Sequence, residues 1–204
     1  MRALLIVAAL LIIGCSSTPS QAPSPSPRRE GPLPELSVYH LTGTWTDQNG
    51  KELTLQELRG KVQLLAMVYA SCPQACPRII ADMKSIDQDL SKRHPDGVEL
   101  VLVSIDPETD TPERLRQLAG EQGLGPRWHL LRGDSQQVQE LAAVLGVKYR
   151  KVSATDFAHS NLITVLDADG VVVHQQEGLG VERSRSIEAA EKALQDCCSE
   201  EPGP

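Results

Sequence analysis

The sequence predicts an α/β domain, with an N-terminal β-hairpin and a central mixed sheet flanked by helices. Three observations point there. The runs Val62 to Val68 and Val98 to Ile105 are largely apolar, and the second, rich in valine, is close to the pattern of a parallel strand buried on both faces. Stretches with apolar residues at helical spacing alternate with these runs. Two turn tetrapeptides, Asp47-Gln48-Asn49-Gly50 and Asp167-Ala168-Asp169-Gly170, each lie between short extended segments, which is a hairpin signal.

Taken in order, Ser37 to Trp45 and Lys51 to Leu55 flank the first turn as a hairpin, and Leu58-Arg59-Gly60-Lys61 leads into a strand from Val62 to Tyr69. After a cysteine-bearing loop, Ile79, Ile80, Met83, Ile86 and Leu90 mark one buried face of a helix ending near His94-Pro95. The strand Val98 to Ile105 closes at Asp106-Pro107. Asp110-Thr111-Pro112-Glu113 supplies a cap and an early proline for a helix to about Gln122. Trp128 to Leu131 reads as a strand, and Ser135 to Leu145 as a helix stopped by Gly146. Val147 to Val152 is a short extended piece. Leu162 to Leu166 and Val171 to His174 form the second hairpin, and a last helix runs from Glu182 or Ser184 to Gln195. Hairpin, β-α-β, further helix, hairpin and helix is the element order of a thioredoxin-like fold.

The chain has 204 residues, room for one domain once leader and linker are set aside. Hydrophobic residues are 40% and charged residues 23%, which argues against a disordered chain. A formal net charge of -7 without a Lys/Arg cluster excludes nucleic acid as an expected partner.

Met1-Arg2 followed by the apolar Ala3 to Ile13 reads as an export signal, too short to span a bilayer comfortably. Leu11-Ile12-Ile13-Gly14-Cys15 resembles the bacterial lipobox. Residues 1–14 are then a lipoprotein signal peptide, and Cys15 is the lipidated N-terminus of a Ser/Pro-rich tether to residue 34. An ordinary cleaved signal or an uncleaved anchor is the alternative. Either way the domain, 35–196, is expected outside the cytoplasm, in the bacterial periplasm, where thiols need a dedicated reductant. Residues 197–204, which begin with Cys197-Cys198, read as a flexible tail. The adjacent cysteines admit an auxiliary copper site, an intermolecular disulfide or no role.

Chemistry concentrates in Tyr69-Ala70-Ser71-Cys72-Pro73-Gln74-Ala75-Cys76-Pro77. Residues before proline avoid helical conformation, so both cysteines read as loop residues, with the helix beginning at Cys76. Sulfur at a helix N-terminus favours thiolate, the form that attacks disulfides and binds metal. The C-x-x-x-C spacing permits a redox disulfide, a pair of thiolates around one soft cation, or a structural disulfide. Of five histidines, His40, His94 and His174 lie at edge, helix-end or hairpin positions, and His129 sits inside a strand. His159 immediately precedes the strand Leu162 to Leu166, whose entrance faces the cysteine loop in a thioredoxin-like fold. Reductases of that fold usually place a cis-proline there, and no proline occurs between Pro126 and Pro202.

Several motifs together resemble the Sco/SenC family of copper-assembly proteins. They are Thr46-Asp47-Gln48 to Gly50-Lys51, Leu58-Arg59-Gly60-Lys61, Cys72-Pro73 to Cys76-Pro77, Val103-Ser104-Ile105-Asp106-Pro107 with Asp110-Thr111-Pro112, and His159-Ser160 before the strand ending in Asp167 to Gly170. The resemblance implies that Cys72, Cys76 and His159 bind one copper ion, as Cu(I) or Cu(II). It also implies delivery to the binuclear copper site of cytochrome c oxidase, or thiol-disulfide exchange that readies that site. The implied partners are the copper-bearing oxidase subunit, other copper chaperones, a thiol reductant and the membrane. Asp106 and Asp110 are candidates for hydrogen bonds behind the metal ligands or for partner docking, with turn closure and helix capping as the alternative. The family usually has Thr, Arg and Asp where this chain has Ala70, Thr109 and Ala158. A thiol-disulfide oxidoreductase using Cys72 and Cys76 on periplasmic clients therefore stays open beside the copper chaperone.

Overall fold

The computed structural model describes residues 31–199. The leader, Cys15, most of the tether and the end of the tail lie outside the described residues. Two short strands, β1 (Trp45–Asp47) and β2 (Glu52–Leu53), form the leading hairpin, and Asp47 Oδ1 accepts the Asn49 and Lys51 amides across its turn. The expected strand from Ser37 does not form. Val38–His40 is instead a 3-10 turn, because the Ser37 hydroxyl accepts the Tyr39 amide and caps it. A second 3-10 turn, Leu55–Leu58, leads to β3 (Val62–Val68).

Helix α1 (Ala75–Ser91) follows, then β4 (Val98–Ser104), α2 (Pro112–Glu121), β5 (Trp128–Arg132) and α3 (Ser135–Leu145). The α2 start and the Gly146 stop read from the sequence appear in place, and Asp134 adds a cap not foreseen there. Thr111 Oγ1 accepts the Arg114 amide, Asp134 caps α3, and Gly146 ends it in the left-handed region at φ 68°. Next come β6 (Tyr149–Lys151), β7 (Phe157–His159), β8 (Leu162–Leu166), β9 (Val172–Glu177) and α4 (Ser184–Ser199). Helix α4 thus runs through Cys197 and Cys198, which the sequence reading assigned to a flexible tail. No glycine or proline interrupts it before Pro202.

The main sheet has the order β2-β1-β5-β4-β3-β8-β9. It is mixed as expected: β3, β4 and β5 are parallel neighbours, while β1, β8 and β9 pair antiparallel. All seven residues of β3 are buried, and the register Val62↔Val98 to Val68↔Ser104 aligns it with β4 along its whole length. Helix α1 packs its Ile79, Ile80, Met83, Ile86 and Leu90 face toward this centre, each no more than 1% exposed. Removing one such side chain typically costs about 2–5 kcal/mol, so the buried face of α1 anchors the β3–α1 junction firmly. Gln63, the polar residue inside β3, is satisfied by donating to Leu58 O at 2.9 Å and to the Tyr39 hydroxyl. By contrast β6 and β7 form a separate two-stranded ribbon. Among the described residues no helix is long and apolar enough to cross a membrane.

Candidate metal centre

The C-terminal end of β3 and the N-terminal end of α1 meet at the cysteine loop. Helix α1 begins at Ala75, one residue before the expected start, so Cys76 is helical rather than a loop residue. Pro77 falls within the first turn, where its missing N–H costs no intrahelical bond. Gln74 at the N-cap makes no side-chain bond to the helix. The sulfur of Cys72 takes that role, accepting the Cys76 amide at 3.3 Å. Cys72 is half-buried and Cys76 is 1% exposed, and both thiols are free.

Their environments separate the two sulfurs. Burial works to raise the Cys72 pKa, but hydrogen bonds from the Cys76 amide and thiol and from the Gln74 amide outweigh it, and the net shift is downward. Burial pushes Cys76 well above the ordinary thiol range, reinforced by the neighbouring Cys72 and the negative charge of Asp110. Cys72 is the thiol poised for reaction and Cys76 is its buried partner.

His159 ends β7, and its Nε2 lies 4.0 Å from Cys76 Sγ. Its Nδ1 is 3.0 Å from the Ser160 carbonyl, which can only accept, so the proton sits on Nδ1 and the Nε2 lone pair faces the sulfurs. The ligating atoms of Cys72, Cys76 and His159 all lie within 4.8 Å of one another. A first-row cation binds thiolate sulfur at about 2.3 Å and imidazole nitrogen at about 2.0 Å, so one ion fits this triangle after a slight contraction. Two sulfurs and one neutral imidazole suit a soft or borderline cation.

The remaining candidates divide. Asp110 is 1% exposed and holds the loop from beneath: its Oδ2 accepts the Ala70 amide at 3.0 Å and the Ser104 hydroxyl at 2.6 Å. Asp106 is 3% exposed, with Lys151 Nζ at 4.0 Å from its Oδ1. Neither carboxylate lies on the surface. The backbone of Asp106 closes a turn by accepting the Thr109 and Asp110 amides. His129 pairs with Glu99 at 2.9 Å between β5 and β4, a structural role, and His40 bonds the Pro34 carbonyl. Arg114 was not anticipated, yet its guanidinium donates to Ala70 O at 2.9 Å and braces the loop from the second side. Tyr69, also missed, bridges the loop and the ribbon. Its position as the aromatic end of an aliphatic strand was the available signal.

Fold and site together define a thioredoxin-like domain with a thiol-imidazole cluster able to hold a metal ion. The chain belongs to the SCO1/SenC family, whose pattern matches residues 39–195. The SCO1 protein homolog of Bacillus subtilis (strain 168) is 29% identical over 140 residues, covering 67% of this chain and 72% of the relative. Bradyrhizobium japonicum ScoI, solved with copper bound, has 29% identity and a TM-score of 0.61 over 74% of this chain and 95% of that one. BsSco, described as a member of the Sco family of cytochrome c oxidase assembly proteins with a disulfide switch, shares the fold at a TM-score of 0.66. Its identity is 24%, over 75% of this chain and 91% of that one.

Proposed function

We propose that this chain is an extracytoplasmic, membrane-anchored copper-binding protein. It carries copper to the binuclear copper site of cytochrome c oxidase, or readies the thiols of that site. The observation that carries this reading is the triangle of Cys72, Cys76 and His159, with the Nε2 lone pair turned toward the sulfurs. Two thiolates suit Cu(I), and the added imidazole allows Cu(II) as well. Cys76 is buried, but Cys72 on the loop and His159 on the ribbon are half-buried, and that open side suits a donor that must release its cargo. The partners are the copper-bearing oxidase subunit, an upstream copper chaperone and a thiol reductant, with the membrane reached through a lipid on Cys15.

The lowered Cys72 pKa favours a second reading, thiol-disulfide exchange. The Cys72 thiolate would attack a client disulfide to give a mixed disulfide, and Cys76 would then displace the client. The client leaves with two thiols and this chain holds a Cys72–Cys76 disulfide, which an external dithiol reduces. Copper occupies the same sulfurs, so loading and exchange exclude each other.

Titration of the reduced chain with Cu(I) and Cu(II), beside Cys72→Ser and His159→Ala, separates the readings. The copper reading expects one ion per chain, a loss of affinity of at least about a hundredfold in Cys72→Ser, and a Cu(II) loss of about tenfold in His159→Ala. Weak binding that His159→Ala leaves unchanged would make the cysteines a redox pair instead. For the anchor, Cys15→Ser should move the chain from membrane to soluble fractions.

A further inference from the structure

His159 belongs to a part of the molecule that the main sheet does not hold. Strands β6 and β7 have three residues each and pair only with each other. A two-stranded hairpin alone is marginal in water, so the place of His159 depends on whatever ties the ribbon to the domain. Lys151 reaches Asp106 at 4.0 Å and Glu108 at 3.8 Å, but it is 42% exposed, and contacts of that kind contribute little. Ala158, beside the histidine, offers the ring no polar group.

We propose that Tyr69 and Asp156 form a latch that positions His159 against the cysteine sulfurs. Tyr69 is 2% exposed and directly follows β3, so its ring is fixed by the core. Its carbonyl accepts the Cys72 amide at 3.2 Å, which ties it to the cysteine loop. Its hydroxyl donates to Asp156 Oδ1 at the turn of the ribbon, and lies 3.5 Å from the Phe157 amide, which donates back. Its ring packs on Phe157 at 5.2 Å and meets His159 edge-on at 5.8 Å and 87°. One buried side chain therefore touches the turn, the middle and the end of the segment that delivers the imidazole. Asp156 itself is exposed, but the phenol it accepts from is buried, and a charge-assisted hydrogen bond to a fixed, buried donor ties the ribbon to the core more firmly than the exposed Lys151 ammonium does. Both are positioning residues, and the latch rests on the copper reading of the site.

The test titrates the reduced full chain separately with Cu(I) and Cu(II), and records the ring-to-ring nuclear Overhauser contact between Tyr69 and His159 in the metal-free protein. Asp156→Ala should abolish that contact and weaken Cu(II) by about tenfold. Cu(I), held chiefly by the sulfurs, should change by less than about twofold. Tyr69→Phe, which keeps the ring and loses only the hydroxyl, should weaken Cu(II) similarly. Asp156→Asn still accepts the phenol proton and should restore wild-type binding. Equal losses for both ions, an intact ring contact in Asp156→Ala, or unchanged Cu(II) binding beside a weakened His159→Ala would each overturn the latch. If His159→Ala itself binds both ions as the wild type does, the copper role of His159 fails, and the latch is decided by the ring contact alone.

Discussion

The two cysteines and the histidine reach one point from unlike supports. Cys72 and Cys76 stand where a strand with seven buried residues meets a helix whose inner face is closed off from solvent. Asp110 and Arg114 fix the Ala70 backbone between them. His159 stands on a three-residue strand of a ribbon that is mostly exposed, and the ribbon's own short ladder does not join the main sheet. The difference assigns separate roles. Placement of the sulfurs is tied to global stability, whereas placement of the imidazole can change without unfolding the domain. If the site carries copper as proposed, it must both grip and release the ion, and one fixed side with one adjustable side serves that.

The largest expected effect falls on the fixed side. Met83 is 0% exposed in the middle of α1, and Met83→Ala should lower the free energy of unfolding by about 3 kcal/mol. Copper stoichiometry should hold wherever the variant remains folded, because the lost contacts lie away from the sulfurs' hydrogen bonds. Urea unfolding together with copper titration checks this. Loss of copper binding in fully folded Met83→Ala would show that the frame is less rigid than the comparison requires.

A smaller effect distinguishes the two sulfurs within that frame. Burial opposes ionisation of Cys72, but the Cys76 and Gln74 amides and the Cys76 thiol more than offset it, so its thiolate persists at lower pH than an ordinary thiol near pKa 8.5. Cys76, raised first by burial, stays protonated. Of these two cysteines, alkylation of the reduced chain with iodoacetamide should therefore modify Cys72 and spare Cys76 at neutral pH, with a midpoint below that of a free thiol. Peptide mass mapping across pH reads the site directly. Equal labelling of both cysteines would mean that the helix end does not discriminate between them.

Much of the rigid side could be read from the sequence, and little of the adjustable side. Buried strands and amphipathic helices announce themselves by periodicity, and α2 carried its cap in Thr111 and α3 its stop in Gly146. The cysteine loop followed from the C-x-x-x-C spacing, and His159 from its place before a strand. The ribbon did not, since three residues are too few for an alternation, and pairing of Tyr149↔His159 to Lys151↔Phe157 is a non-periodic, tertiary matter. Tyr69 looked like one more apolar strand residue, and only the fold brings its hydroxyl to Asp156. Ser37 was read as part of a strand because its capping bond to Tyr39 competes locally with extension. The reach of α4 to Ser199 was underestimated because the paired cysteines suggested a tail where no helix breaker stands.

The smallest effect concerns the carboxylate beneath the loop. Asp110 Oδ2 accepts from Ala70 and Ser104, while its buried Oδ1 has no hydrogen-bond partner. Burial raises its pKa, against the lowering influence of those two bonds and with a further push from Asp106. With the folded value above the unfolded one, the stability this group contributes is fully present below the ordinary aspartate value. It is lost as pH rises through the raised folded value. Asparagine offers the same two donors a carbonyl oxygen and does not ionise. Asp110→Asn should therefore lack that loss, and its urea midpoint should gain on the wild type from about pH 4 upward. A constant difference between the two chains across this range would show that Asp110 ionises in the fold as freely as in the unfolded chain. The carboxylate would then hold the loop at no cost in charge burial, and the fixed side of the centre would be firmer than its buried charge implies.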